Sequence, residues 1–181
     1  MRVLRRYVAL VDDFNYRLGR VMMYGIFALM AVLGYSTFSK VAGTPSLWTL
    51  EMAQFVMVGY YILGGPYAMQ MGTNVRMDLF YGDFTPRRKA WFDAITVFFL
   101  LVYLGILLWG GIESTIYAFQ YGGERSPSAW RPYMWPIKVV MCVGIALMLL
   151  QALSELAKDI LYLKTGEPAR ADTQAEPGDA L

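Results

Sequence analysis

Val21 to Ser39 is nineteen residues without a formal charge, and Ala94 to Ile112 is nineteen more. At a helical rise of 1.5 Å per residue each block reaches about 28 Å, close to the thickness of a bilayer's hydrocarbon core. Lipid offers the backbone no hydrogen bonds, so a crossing segment must satisfy its own N–H and C=O groups, which selects the α-helix. Composition agrees. Of 181 residues 57% are apolar and 17% are charged, against about 25% charged in a soluble domain. The apolar residues lie in long blocks with short charged clusters between them.

Two further spans fit the pattern. Leu47 to Thr73 has Ser46 or Thr49 to cap its start and Glu51 in the first turn, where the helix dipole favours an anion. Its interior holds Gly59, Gly64, Gly65 and Pro66. Small residues let membrane helices approach closely, and proline is tolerated where neighbours satisfy the freed backbone. These four are candidate helix-packing positions. Ile137 to Leu156 is the other span, and Thr85-Pro86 reads as N-cap and first turn of the helix leading into Ala94. The expectation is an all-α integral membrane protein with four spans at about 21–39, 47–73, 94–112 and 137–156, within a membrane domain covering 21–161.

Ahead of the first span, Arg2, Arg5, Arg6, Arg17 and Arg20 alternate with Val3, Leu4, Tyr7, Val8, Leu10, Val11 and Phe14 at helical spacing. That pattern predicts an amphipathic helix over 1–20 lying in the membrane interface. A cleaved signal peptide fits poorly, because the basic region is long and the apolar stretch after it is of spanning length. The small, polar, Pro-containing residues 162–181 read as a disordered tail. Twelve of the sixteen Lys and Arg residues fall with the N-terminus, the connection after the second span and the tail. Lys40, Arg125, Arg131 and Lys138 fall on the other side. The positive-inside rule therefore places both termini in the cytoplasm.

Several chemistries are closed to such a chain. It has no histidine, which removes imidazole zinc sites, bis-histidine haem and Ser–His–Asp catalysis. The single Cys142 excludes an internal disulfide, and a net charge of +2 gives no argument for nucleic acid. Glu51, Arg76, Asp78, Asp93, Glu113 and Lys138 all fall near span ends, leaving Gln54, Gln70 and Gln151 as neutral polar groups within spans. A transporter or pump working alone lines its path with more than this. No catalytic, cofactor or metal residue is expected. A self-sufficient exporter or channel would want a membrane-embedded carboxylate, and a small membrane enzyme would want nucleophiles or bases.

Two segments stand apart. Asn74, Arg76 and Asp78 form a candidate polar cluster at the cytoplasmic end of the second span, either an interfacial ion pair or a partner contact. Outside, Glu124 to Lys138 carries Pro127, Pro132 and Pro136 with Trp130 and Trp135. Three prolines in ten residues forbid a continuous helix, and tryptophan favours the membrane surface. This reads as a folded surface loop, with Trp130, Arg131 and Trp135 as candidate contacts for another protein.

The runs Ser46-Leu47-Trp48-Thr49-Leu50-Glu51, Tyr60-Tyr61-Ile62-Leu63-Gly64-Gly65-Pro66-Tyr67-Ala68 and Val75-Arg76-Met77-Asp78 resemble the small, DctQ-like permease subunit of tripartite ATP-independent periplasmic (TRAP) transporters. Ser126-Pro127-Ser128-Ala129-Trp130-Arg131-Pro132 and Trp135-Pro136-Ile137-Lys138 resemble the branch associated with mannitol or chloroaromatic compounds. The resemblance covers roughly Tyr16 to Leu161. It implies a place in the bacterial inner membrane, within a sodium-coupled importer of an organic acid. The implied partners are a large elevator-type permease subunit in a one-to-one complex, a periplasmic substrate-binding protein, and membrane lipid. Substrate and sodium would bind the large subunit, and the small one would brace its scaffold. Many members of the family carry histidine where this chain has Asn74, so a role that needs imidazole protonation is closed at this position.

Overall fold

The computed structural model describes residues 2–71, 86–121 and 123–165. Five helical segments make up most of the described chain: α1 (Arg2–Met23), α2 (Gly25–Val41), α3 (Thr49–Gln70), α4 (Pro86–Gln120) and α5 (Trp135–Thr165). Pro86 opens α4, as its fixed φ and missing N–H suit a first helical position. A tight turn at Tyr24 separates α1 from α2; the Tyr24 N–H donates to the Val21 carbonyl at 3.1 Å. α2 stops at Gly43, which takes a φ of 76°, with Gly43 and Thr44 donating back to the carbonyls of Lys40 and Ser39. A residue with a Cβ would be strained there.

Contacts along the helices fix their directions. Gly25 meets Tyr60, and Ser36 accepts a hydrogen bond from Thr49 at 3.1 Å. These pairs are eleven residues apart on both helices, so α2 runs antiparallel beside α3. Gly59 faces Val140, Ile62 faces Gly144 and Gly65 faces Met148, so α3 and α5 run parallel. Gly111 and Thr115 meet Cys142, and the Phe119 ring lies 5.5 Å from that of Trp135. α4 is therefore antiparallel to α5.

The result is a row, α2–α3–α5–α4, rather than a closed bundle. Among the described residues α4 makes no substantial contact with α2 or α3. The best-buried seam lies between α4 and α5, around Leu104, Ile145 and Ala152. The outer helices expose large apolar side chains, including Phe27, Met30 and Phe38 on α2 and Phe99, Ile106 and Trp109 on α4. Such surface is untenable in water and natural in lipid.

Three helical stretches are long and apolar enough to cross a membrane: Leu4–Val41, Ile95–Gln120 and Trp135–Lys158. Of the four expected spans, the one at 47–73 corresponds to α3, which is 22 residues long but less apolar. Glu51, Gln54, Gly64, Gly65 and Pro66 lower its hydropathy. The reason is its place in the row. Flanked by α2 and α5 and crossed by α1, it turns much of its surface to protein.

α1 lies differently from the others. Asp12 and Gly19 are seven residues apart, yet they meet Gln70 and Tyr67, only three apart on α3. Tyr7 and Asn15, eight apart, reach adjacent positions on α5, Leu150 and Gln151. α1 therefore crosses the C-terminal ends of α3 and α5 obliquely. Its helical conformation runs past Arg20 to Met23.

Candidate functional site

Where α1 crosses α3 and α5, a polar junction forms in an otherwise apolar protein. The Asn15 amide donates to Gln151 Oε1 at 2.8 Å. Gln151 in turn donates to Asp12 Oδ1 at 3.0 Å and to Glu155 Oε1 at 3.1 Å. Ser154 donates to the same Asp12 oxygen at 3.0 Å. The other Asp12 oxygen pairs with Lys158 at 2.7 Å, and Lys158 also reaches Glu155 at 2.9 Å. Gln70 donates to the Asp12 carbonyl at 3.2 Å. Asn15, Gln151 and Ser154 are at most 1% exposed. Asn15 Oδ1 and Gln70 Oε1 find no hydrogen-bond partner among the described residues. The ionised groups Asp12, Glu155 and Lys158 find their partners within the junction, so the network fastens three helices.

A second set of positions allows close helix approach. A Cβ added at Gly19 would overlap Tyr67, and one at Gly144 would overlap the Ile62 side chain and come within 3.2 Å of its carbonyl oxygen. Pro66 has no N–H to offer that carbonyl four residues back. The freed oxygen therefore faces α5 at Gly144. Of the glycines singled out from the sequence, Gly65 packs under Met148, where an added Cβ would come 3.0 Å from the sulfur, and one at Gly59 would lie 3.8 Å from Val140. Gly64 faces open space, and Pro66 is buried. Above Gly59 runs an apolar groove of about 370 Å³, lined by Gly25, Phe55, Tyr60, Pro136 and Ile137 among others. Nothing in its lining would recognise an organic acid or a cation.

At the opposite end of the row the Glu124–Lys138 segment is a folded loop. Arg125 and Tyr133 form an antiparallel bridge. The Ser126 N–H donates to the Pro132 carbonyl at 3.0 Å, and that of Met134 to Glu124 at 2.9 Å. The Arg125 guanidinium lies 4.4 Å from the Tyr133 ring centre. Lys138 pairs with Glu124. Ser126 ties the loop to α3 through a 2.8 Å hydrogen bond to Glu51, a carboxylate only 7% exposed. Trp130 and Arg131 stand exposed on this loop, and Trp135, also exposed, begins α5 against Phe119. Asn74, Arg76 and Asp78 lie outside the described residues.

Among the described residues no group of three or more Cys, His, Asp or Glu side chains is placed to hold a metal. The family described as "Tripartite ATP-independent periplasmic transporters, DctQ component" matches residues 29–161, well over half the chain. The chain belongs to this family. It is thus a DctQ permease subunit, a transporter component rather than an enzyme, and a multi-pass membrane protein. A relative in Oleidesulfovibrio alaskensis, the isethionate TRAP transporter permease protein DctMQ, is 23% identical over 148 residues, covering 77% of this chain. The chain spans 23% of the length of that relative. No solved structure matches.

The polar junction was the part of the DctQ subunit that sequence reasoning did not assemble. Gln70 and Gln151 were visible as polar groups in spans, but their partners Asp12, Asn15, Ser154 and Lys158 were not. One signal was present. Asp12 and Asn15 share a helix face with Val8, Val11 and Leu18, so that face is apolar except where something polar must meet it.

Proposed function

We propose that this DctQ subunit braces the large permease subunit of a sodium-coupled, binding-protein-dependent importer of an organic acid, without a substrate site of its own. The observation that carries this reading is the open row of helices, in which the described residues form no polar path. Among the described residues, Lys158 with Asp12 and Glu155 fastens helices at one end, and Lys138 with Glu124 and Glu51 with Ser126 hold the loop at the other. A row also presents two broad apolar faces, a shape suited to widening another protein's scaffold in the plane of the membrane.

In this reading all four spans cross the bacterial inner membrane with both termini in the cytoplasm, as the arginine and lysine distribution favours. α3 crosses despite its lower hydropathy because its neighbours cover it. α1 lies in the cytoplasmic interface, and the Trp130–Arg131 tip with Trp135 meets the periplasmic binding protein. Gly64, where an added Cβ would meet none of the described residues, faces the large subunit. The large subunit pairs with this chain one to one and carries the substrate and sodium. The relative's name mentions isethionate, an organic sulfonate, which supports an organic-acid substrate class. The loop motifs favour the mannitol or chloroaromatic branch.

The test is to co-express this chain with the large subunit, tag only this chain and purify in mild detergent. An equimolar complex that imports the acid in vesicles only with a sodium gradient and the binding protein is the expected result. A self-contained oligomer with sodium-independent flux would replace this reading with that of a channel or exporter. Gly64→Leu should lower recovery of the large subunit while leaving this chain's own unfolding temperature unchanged.

A further inference from the structure

α1 carries three stripes rather than two. The buried stripe, Asp12, Asn15 and Gly19, is clamped to α3 and α5 by the junction. At about 100° per residue, Arg6, Arg17 and Arg20 fall within about 60° of one another on the far side, and all three are exposed. Leu10, Phe14 and Val21 form the third stripe directly beside the arginines, at 73%, 55% and 62% exposure. Because the clamp fixes the rotation of α1, the helix cannot roll to hide either outward stripe.

We propose that α1 binds anionic phospholipid, with the guanidinium groups of Arg6, Arg17 and Arg20 on headgroup phosphates and Leu10, Phe14 and Val21 among the acyl chains. The inference rests on the chain being embedded in a bilayer, as its family and apolar helices require. Three observations select this occupant. α1 crosses the ends of α3 and α5 obliquely, at the depth where the spans finish and headgroups begin. Its apolar stripe continues into the exposed apolar surface of α2 at Tyr24 and Phe27. The arginine stripe keeps a surplus of positive charge. Asp13 pairs with Arg17 at 2.9 Å, while Arg20 rests on the Tyr16 ring, 5.5 Å from its centre. Lys158, nearby, is already answered by Asp12 and Glu155. Guanidinium groups bind phosphate by paired hydrogen bonds, and a zwitterionic headgroup, bringing its own cation, gains less from the surplus.

The test uses the full chain with its large subunit in mild detergent, titrated with phosphatidylglycerol or phosphatidylcholine, with lipid retention read by native mass spectrometry. The unaltered protein should prefer phosphatidylglycerol by roughly tenfold or more, from about fivefold per unpaired arginine. Arg6→Gln/Arg17→Gln/Arg20→Gln should abolish the preference with the large subunit still bound. Leu10→Ser/Phe14→Ser should weaken retention of both lipids and leave the preference intact. Lys40→Gln, an exposed cation at the other end of the row, should leave both retention and preference unchanged. An unchanged preference in the triple variant overturns the proposal. So does loss of the large subunit with the preference retained, which would make the stripe a protein contact. If no large subunit co-purifies but the triple variant still loses the preference, the lipid site stands and the bracing role falls.

Discussion

Asn15 and Gln151 lie 136 positions apart and share a 2.8 Å hydrogen bond, with neither side chain more than 1% exposed. Removing one side of such a pair strands the other. Gln151→Leu leaves the Asn15 amide without its acceptor and takes a donor from Asp12. The expected loss is about 1–2 kcal/mol, the range for interhelical hydrogen bonds in membrane proteins with the cost of an orphaned group added. Thermal unfolding in detergent should show the drop. Asn15→Leu/Gln151→Leu should cost less than the two single changes together, and strict additivity would mean the pair is not coupled.

Lys158 is the cation between two carboxylates, 2.7 Å from Asp12 and 2.9 Å from Glu155. All three side chains are largely shielded from water, at 14%, 21% and 24% accessible. Lys158→Met should therefore cost more than a surface ion pair and less than a fully buried one, roughly 2–3 kcal/mol. Asp12→Asn in the same background removes one of the two facing charges and should return part of that loss. A double-mutant cycle on unfolding temperature decides it, and a coupling near zero would leave the junction to its hydrogen bonds and packing.

Close approach of the helices depends on specific glycines. A methyl group at Gly144 meets Ile62 side chain and backbone, and one at Gly19 meets the Tyr67 side chain, whereas at Gly64 it meets nothing. Gly144→Ala and Gly19→Ala should each destabilise by roughly 1–3 kcal/mol through overpacking. Gly64→Ala should be neutral, or stabilising by under about 1 kcal/mol from helix propensity. Equal effects at all three positions would contradict the packing described. Ile62→Ala should soften the effect at Gly144 only in part, because the Ile62 backbone stays in the way.

Charge-free blocks made the helices legible, since nineteen uncharged residues allow few structures besides a span. Thr85-Pro86 marks the start of α4 because proline's fixed φ and missing N–H suit a first helical position. The order of the row was not legible. In water the apolar face of a helix names the side that packs, but in lipid both the packed and the exposed sides are apolar. Gly59, Gly64 and Gly65 read as packing positions because they are small residues inside a span, yet Gly19 and Gly144 make the tighter approaches and look no different in sequence. The junction was hidden for another reason. Asp12 and Lys158 belong to opposite ends of the chain, and each alone reads as an interfacial charge. The loop's aromatic and proline content was plain, but its anchor was not. Glu51 reads as a dipole partner in a first turn, and only the fold brings Ser126 to it.

That anchor leads to the last expected outcome. The loop is held at three points: Ser126 on Glu51, the Arg125–Tyr133 bridge, and Gly123 at a φ of 89° with Tyr133 ring carbons 2.8 and 2.9 Å from where a Cβ would sit. Gly123→Ala combines a left-handed backbone strain with a clash, and should cost the loop roughly 1–3 kcal/mol. Ser126→Ala removes one hydrogen bond to a carboxylate and should cost less, about 1–2 kcal/mol. Both changes act locally, because the α4–α5 seam around Leu104 and Ile145 is independent of the loop. Hydrogen exchange over 124–134 should be fastest in Gly123→Ala, slower in Ser126→Ala and slowest in the unaltered chain, with trypsin cutting after Arg125 in the same order of rates. Global unfolding temperature should barely move. If exchange in the loop stays as slow in Gly123→Ala as in the unaltered chain, the loop is held by something other than these three contacts, and its exposed Trp130 and Arg131 owe their position to that instead.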